Sequence, residues 1–172
     1  MEKRKTYKKV LFRLFLILLM FLFFFTNVYS QRIGKEYRGF ITVKGIWKRF
    51  DALDVGLVYH PVFNSETKVW MNLAFSRPEK NKEKITLEEI EEYTAKYYNE
   101  TNREEKSMKK VILNQKYDAY LVEYSEKGKG NKTAYYVIKC HDYRACSVFI
   151  NAKKSETEKI MKMVEKSWSI EK

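Results

Sequence analysis

The two cysteines of this 172-residue chain bracket Cys140-His141-Asp142-Tyr143-Arg144-Ala145-Cys146, which also holds one of its two histidines. Thiolate, imidazole and carboxylate so close together are the ingredients of a zinc site or of an activated sulfur nucleophile. For zinc, Cys140, His141 and Cys146 would need His60 as a fourth ligand. Successive residues on a strand point to opposite faces, so Cys140 and His141 share an ion only if a turn begins at once. The same alternation separates a Cys nucleophile from an adjacent His base. Asp142 could orient that base, but an aspartate in a tight turn is usually engaged by its own backbone. The remaining reading is a staple. If Cys140 faces Cys146 across a hairpin, Ile138 pairs with Val148 and Tyr136 with Ile150, which gives one uniformly apolar face. A disulfide is therefore expected, with two buried free thiols as the alternative, and no catalytic, cofactor-binding or metal residue is assigned.

A disulfide requires an oxidising compartment, and the N-terminus supplies a route to one. Lys3, Arg4, Lys5, Lys8, Lys9 and Arg13 precede an uncharged run from Leu14 through Phe25. Twelve such residues at ~1.5 Å each span about 18 Å as a helix, short of the roughly 30 Å of a bilayer core. Residues 1–30 are predicted to be a secretory signal, cleaved after Ser30, where Val28 and Ser30 fit the peptidase pattern. The alternative is an uncleaved N-terminal anchor, since Arg13 to Ser30 can stretch to a tilted span. Residues 31–38 have no periodicity and read as a leader, and 39–172 as a single domain.

The elements that must position these residues follow from periodicity. Phe40 to Val43, Ile46 to Phe50, Val55 to Tyr59 and Lys68 to Ser76 read as strands. In the last of these, Val69, Met71, Leu73 and Phe75 alternate with Trp70, Asn72, Ala74 and Ser76, so one face is expected to be buried. Thr86 and Glu89 form a capping box for a helix whose apolar side carries Leu87, Ile90, Tyr93, Thr94, Tyr97 and Tyr98. Four strands then follow on short connections, Met108 to Asn114, Tyr117 to Ser125, Lys132 to Cys140 and Cys146 to Asn151, as in an antiparallel meander. A final helix is predicted with Ser155 and Glu158 as its cap, Ile160, Met161, Met163, Val164 and Trp168 sharing one face and Lys159, Lys162, Glu165 and Lys166 the other. The strand from Lys132 to Cys140 is bulky on both faces, Tyr136 and Ile138 on one and Tyr135 and Val137 on the other, so both need cover. The expected fold is α+β: an antiparallel sheet of about six or seven strands flanked by two helices, an α-β-α sandwich.

The run VILNQKYDAYLVEY, a Gly-rich hairpin, YYVIKC, ACSVFINA and a helix closing on Lys166-Ser167-Trp168-Ser169-Ile170 together resemble the PsbP-like proteins. Ile46-Trp47-Lys48-Arg49-Phe50 is similar to that family's opening strand, and the resemblance covers roughly residues 46 to 170. It implies an α-β-α sandwich and a non-enzymatic accessory or binding role, with no site residues carried over.

The formal charge is +12 and falls to +7 once the six basic residues and Glu2 of the first thirty are removed. An exported basic domain meets anionic envelope surfaces or acidic protein faces rather than nucleic acid. Arg77, Lys80, Lys82 and Lys84 share one loop and Lys127, Lys129 and Lys132 another, and these seven are the candidate partner-binding residues. Tyr117, Tyr143 and Trp70 are candidate surface contacts. The glutamates at 88, 89, 91 and 92 lie mostly on the helix face away from the apolar stripe and read as solvated. The functional expectation is an exported accessory protein that binds an acidic protein face or an anionic envelope component. The alternative is an envelope enzyme with a Cys/His site around residues 140–146.

Overall fold

A computed structural model describes residues 11–21, 29–52, 56–78, 83–103, 105–125 and 130–172. Residues 11–21 form helix α1, whose apolar side chains are exposed, and among the described residues no helix is long and apolar enough to cross a membrane. The domain proper begins with β1 (Ser30–Lys35) and β2 (Gly39–Lys44), an antiparallel pair that forms a sheet of its own. Residues 31–38, expected as a leader, are thus largely a strand and its turn. Ile33 is the single apolar side chain of β1 to be buried, so the strand shows no alternation to read.

A seven-stranded antiparallel sheet follows: β3 (Trp47–Ala52), β4 (Gly56–Pro61), β5 (Lys68–Ser76), β6 (Glu105–Leu113), β7 (Tyr117–Ser125), β8 (Asn131–His141) and β9 (Arg144–Lys153), in spatial order β3-β4-β5-β9-β8-β7-β6. Helix α2 (Leu87–Glu100) carries the chain from the middle of this sheet to its far edge, and α3 (Lys154–Ser167) leaves directly from β9. The fold class is α+β, as expected. Phe40 to Val43 belongs to the small sheet instead of the large one.

Strand alternation divides the core in two. Leu121, Tyr136, Ile138, Val148 and Ile150 face Ile160 and Val164 of α3 and Trp168 just past its end, with Ile33, Ile41 and Val43 of the small sheet beside them. Val122, Tyr135 and Val137 point the other way and meet Ile90 of α2. Helix α2 starts on the expected capping box, Glu89 N donating to Thr86 Oγ1 and Thr86 N to Glu89 Oε2. Helix α3 does not use its predicted cap. Its N-cap is Lys153, with no side-chain bond, because β9 runs straight into the helix and leaves Ser155 inside the first turn. Thr157 takes over the local polar contact, its hydroxyl reaching Lys132 O at 2.9 Å and Ala152 O at 3.2 Å.

Strand β5 keeps its predicted face only part of the way. Val69 and Met71 are fully buried, then the register slips between Leu73 and Phe75. Leu73, at the near side of that bulge, is 40% exposed, and beyond it Phe75 turns to the opposite side to pack on Tyr93 of α2, ring centres 5.1 Å apart. The far end of the chain is held by Trp168, fully buried and edge-on to Tyr117 at 4.8 Å. Gly39, at φ +87°, lies so close to the indole that a Cβ there would stand 2.6 Å from it.

Candidate binding surfaces

The hairpin between β8 and β9 turns on Asp142 and Tyr143, and the structure joins Cys140 to Cys146 with their Cα atoms 5.7 Å apart. The register differs from the expected one. Cys146 stands opposite Ile138, Val148 opposite Tyr136, and Ile150 opposite Ala134, with a bulge between Lys139 and His141. The slip is two residues, which moves every partner but returns each side chain to the same face. Cys140 is the extra residue of the bulge, and the diagonal reach is short enough for the bond.

With each sulfur bonded to the other, neither is a thiolate for zinc or for nucleophilic attack. His60 sits on β4, two strands from β9, its Nδ1 3.1 Å from Pro61 O. Among the described residues no three His, Cys, Asp or Glu side chains gather as metal ligands. His141 and Asp142 border an open hollow with Lys116, Asp118 and Lys139. What the turn does is hold the loop that precedes α2. Asp142 pairs with Lys84 at 2.8 Å, its carbonyl accepts from Ile85 N at 2.7 Å, and Tyr143 O accepts from Arg77 N at 2.9 Å. The Lys84 hydrogen bond holds the Asp142 carboxyl below the usual aspartate range, burial opposing it, and the same contact raises Lys84.

Of the seven candidate partner-binding cations, Lys80, Lys82, Lys127 and Lys129 lie outside the described residues. The other three are already matched by carboxylates. Arg77 pairs with Glu89 and, at 3.6 Å, Glu83; Lys84 pairs with Asp142; Lys132 lies 2.7 Å from Glu123 and 3.9 Å from Glu158. Glu123 also accepts Lys109 at 2.9 Å. Burial, the largest influence on Glu123, pushes its carboxyl up, yet Lys132 and Lys109 together more than offset this and leave it below the usual glutamate range. Lys132, 17% exposed, is a strut between β8, β7 and α3 rather than a loop charge. Tyr117 is likewise core, under Trp168, whereas Tyr143 and Trp70 are half-buried.

Two other surfaces stand out. The first is a groove of about 560 Å³ between β2 and α3, lined by Ser30, Val43, Met163 and Ser167 and rimmed by Lys44, Lys159, Lys162 and Lys166. Residues three and four apart share one side of a helix, so Lys159, Lys162 and Lys166 form one stripe along α3. Ser167 Oγ accepts from Thr42 N at 2.9 Å and donates to Met163 O at 2.6 Å, which stitches β2 to the helix. Arg32 strengthens that seam from β1, bonding Ser167 O at 3.3 Å and Ser169 Oγ at 2.6 Å. Lys159 has Glu156 at 3.5 Å, an exposed pair; among the described residues Lys44, Lys162 and Lys166 have no ion-pair partner. Helical spacing puts Lys159, Lys162 and Lys166 opposite the apolar stripe of α3, but nothing in the local sequence brings Lys44 to them.

The second surface is a cross-strand row on the α2 side. Phe50, Val58, Trp70, Phe149, Tyr135, Val122 and Met108 stand opposite one another in turn across all seven strands. Helix α2 covers the row from Tyr135 onward, with Tyr97 4.5 Å above that ring. Its other end is open: Trp70 lies edge-on to Phe149 at 5.1 Å, and Phe50 is 61% exposed.

No family model matches the chain, and no curated protein matches it.

Proposed function

We propose that this protein is an exported, non-enzymatic binding protein with a PsbP-like α-β-α sandwich, and that it engages an anionic component of the cell envelope. The observation that carries this is the groove between β2 and α3: four lysines around an apolar floor, three of them without a carboxylate partner among the described residues. Unpaired ammonium groups on a folded rim attract acidic partners at long range, whereas Arg77, Lys84 and Lys132 have most of their field cancelled locally.

Export is supported by the disulfide and by the arrangement of the N-terminus. No described residue before Ser30 contributes to either core, and a mature chain starting at Gln31 keeps every β1 pairing except Ser30 with Lys44. N-terminal sequencing of the protein from the exported fraction should return Gln31; an intact Met1 on membrane-bound protein would replace cleavage with a retained anchor.

The binding test is adsorption of the chain from Gln31 to isolated envelope fractions. Raising salt from 0.1 to 1 M shortens the screening length from about 10 Å to about 3 Å, so binding should fall steeply over that range. Replacing Lys159, Lys162 and Lys166 by Gln should remove it, and replacing Lys80, Lys82 and Lys84 should act mainly on the rate of association. Binding that ignores both salt and the groove lysines would sink the reading.

A further inference from the structure

We infer that the partner of the groove is the anionic phospholipid surface of the membrane that the N-terminal segment enters; the inference rests on the function proposed above. Its chemistry fits such a surface better than it fits an acidic protein face. A lysine extends an apolar stem topped by a charge, so Lys159, Lys162, Lys166 and Lys44 can lay their stems beside the half-buried Met163 while their ammonium groups stand at headgroup level. A basic rim over an apolar floor is the profile that membrane interfaces select.

Position supplies the second reason. Ser30 lines the groove and is the point where the domain joins the N-terminal segment. Only four residues separate it from Phe25, the last residue of the apolar run, and the five Cα-to-Cα steps between them reach at most about 18 Å. Whatever bilayer holds that run has the groove close to its surface. Phosphate-bearing lipids at that distance attract a basic patch within roughly a screening length of ~8–10 Å. Two weak attachments on one side of a domain give stable anchoring, and removing one leaves a reversible contact. Cleavage after Ser30 therefore turns a firmly held protein into one that salt can release, still facing the leaflet through α3.

The experiment uses the chain from Gln31, since no described residue before it belongs to either core, and measures co-sedimentation with phosphatidylglycerol vesicles and with phosphatidylcholine vesicles. Binding to the first and not the second, reversed by 1 M salt, supports the inference. Each lysine near an anionic surface is worth about fivefold, so Lys159→Gln/Lys162→Gln/Lys166→Gln should weaken binding by about a hundredfold. The control Lys48→Gln/Lys68→Gln/Lys96→Gln removes the same charge from β3, β5 and α2 and should leave most of it. Thermal melts of both triple variants establish that they are folded. Equal loss in the two variants, or equal binding to neutral vesicles, overturns the inference, the first pointing to net charge and the second to apolar adsorption. Vesicle binding that is absent while envelope-fraction binding still needs Lys159, Lys162 and Lys166 assigns the groove to an acidic protein: the lipid inference falls and the proposed function stands. Loss of groove dependence in both assays overturns both.

Discussion

The two faces of the large sheet are both apolar, but they are finished differently. On the α3 face, helix, small sheet and C-terminal residues close over Tyr136, Ile138 and Trp168, leaving a polar rim and the lysine groove at the seam. On the other face α2 covers Tyr135, Val137 and Val122 but stops short of β3, so an aromatic row runs out from beneath it to Phe50. Connectivity accounts for the difference. Helix α3 leaves β9 without a loop and is pinned again beyond its end, where Ser169 and Phe40 exchange backbone bonds of 3.0 and 2.7 Å. Helix α2 bridges β5 to the far edge strand β6, and a fourteen-residue helix over that path cannot also cover β3 and β4. Its anchor is instead polar on one flank: Tyr120 donates to Glu91 at 2.5 Å, a bond that, with burial, pushes the phenol up to about 12.

The largest difference between the faces should come from truncating a side chain at the closed seam. Trp168→Ala removes a fully buried indole and should cost about 3–5 kcal/mol in guanidinium denaturation. A loss below about 1 kcal/mol would show that the C-terminal seam contributes little to closing that face. Next comes the staple at the sheet end. Replacing Cys140 and Cys146 by Ala releases a short closed loop and should cost about 2 kcal/mol, with intact-mass measurement under non-reducing conditions first showing the native chain two hydrogens lighter than its reduced form. Free thiols in the exported protein would remove the staple from the comparison.

A smaller effect, seen only in acid, belongs to the rim of the closed face. The folded Glu123 carboxyl lies below its ordinary value of about 4.3, so its contribution is present above that pH and is lost as pH falls through the folded value. Glu123→Gln should flatten the acid limb of a stability profile below about pH 4 while leaving its slope near pH 7 unchanged; an unaltered acid limb would mean the Lys132 and Lys109 contacts do not persist in solution. The smallest change is expected at the open end of the aromatic row, where Phe50→Ser alters a side chain that is 61% exposed and should shift stability by no more than about 0.5 kcal/mol. A much greater loss would reveal that something covers this end of the sheet.

Local pattern made most of the elements legible. The capping box at Thr86 and Glu89, the four-strand meander from β6 to β9, and the apolar stripe of α3 depend on neighbours within a few residues, and each is where periodicity put it. The two faces of β8 were readable for the same reason: alternation is a property of the strand itself. Strand β1 escaped because one apolar residue makes no period, and the α3 cap because a strand that enters a helix without a loop leaves a Ser-x-x-Glu motif inside the first turn.

What the tertiary structure alone decided concerns residues far apart in the chain. Which cations remain uncancelled is set by partners such as Glu123 and Lys132, or Arg77 and Glu89, whose meeting depends on strand order and loop path. The exact partner of each residue across β8 and β9 turned on a bulge, which hydrophobic patterning cannot detect because a two-residue slip restores the same face. The groove needed Lys44 from β2 beside Lys159, Lys162 and Lys166 from α3. Sequence determines side-chain alternation and charge type through local geometry. Juxtaposition across more than a hundred residues is fixed only when the two cores close, because only then does burying Val43 and Val164 together bring those lysines to a common rim.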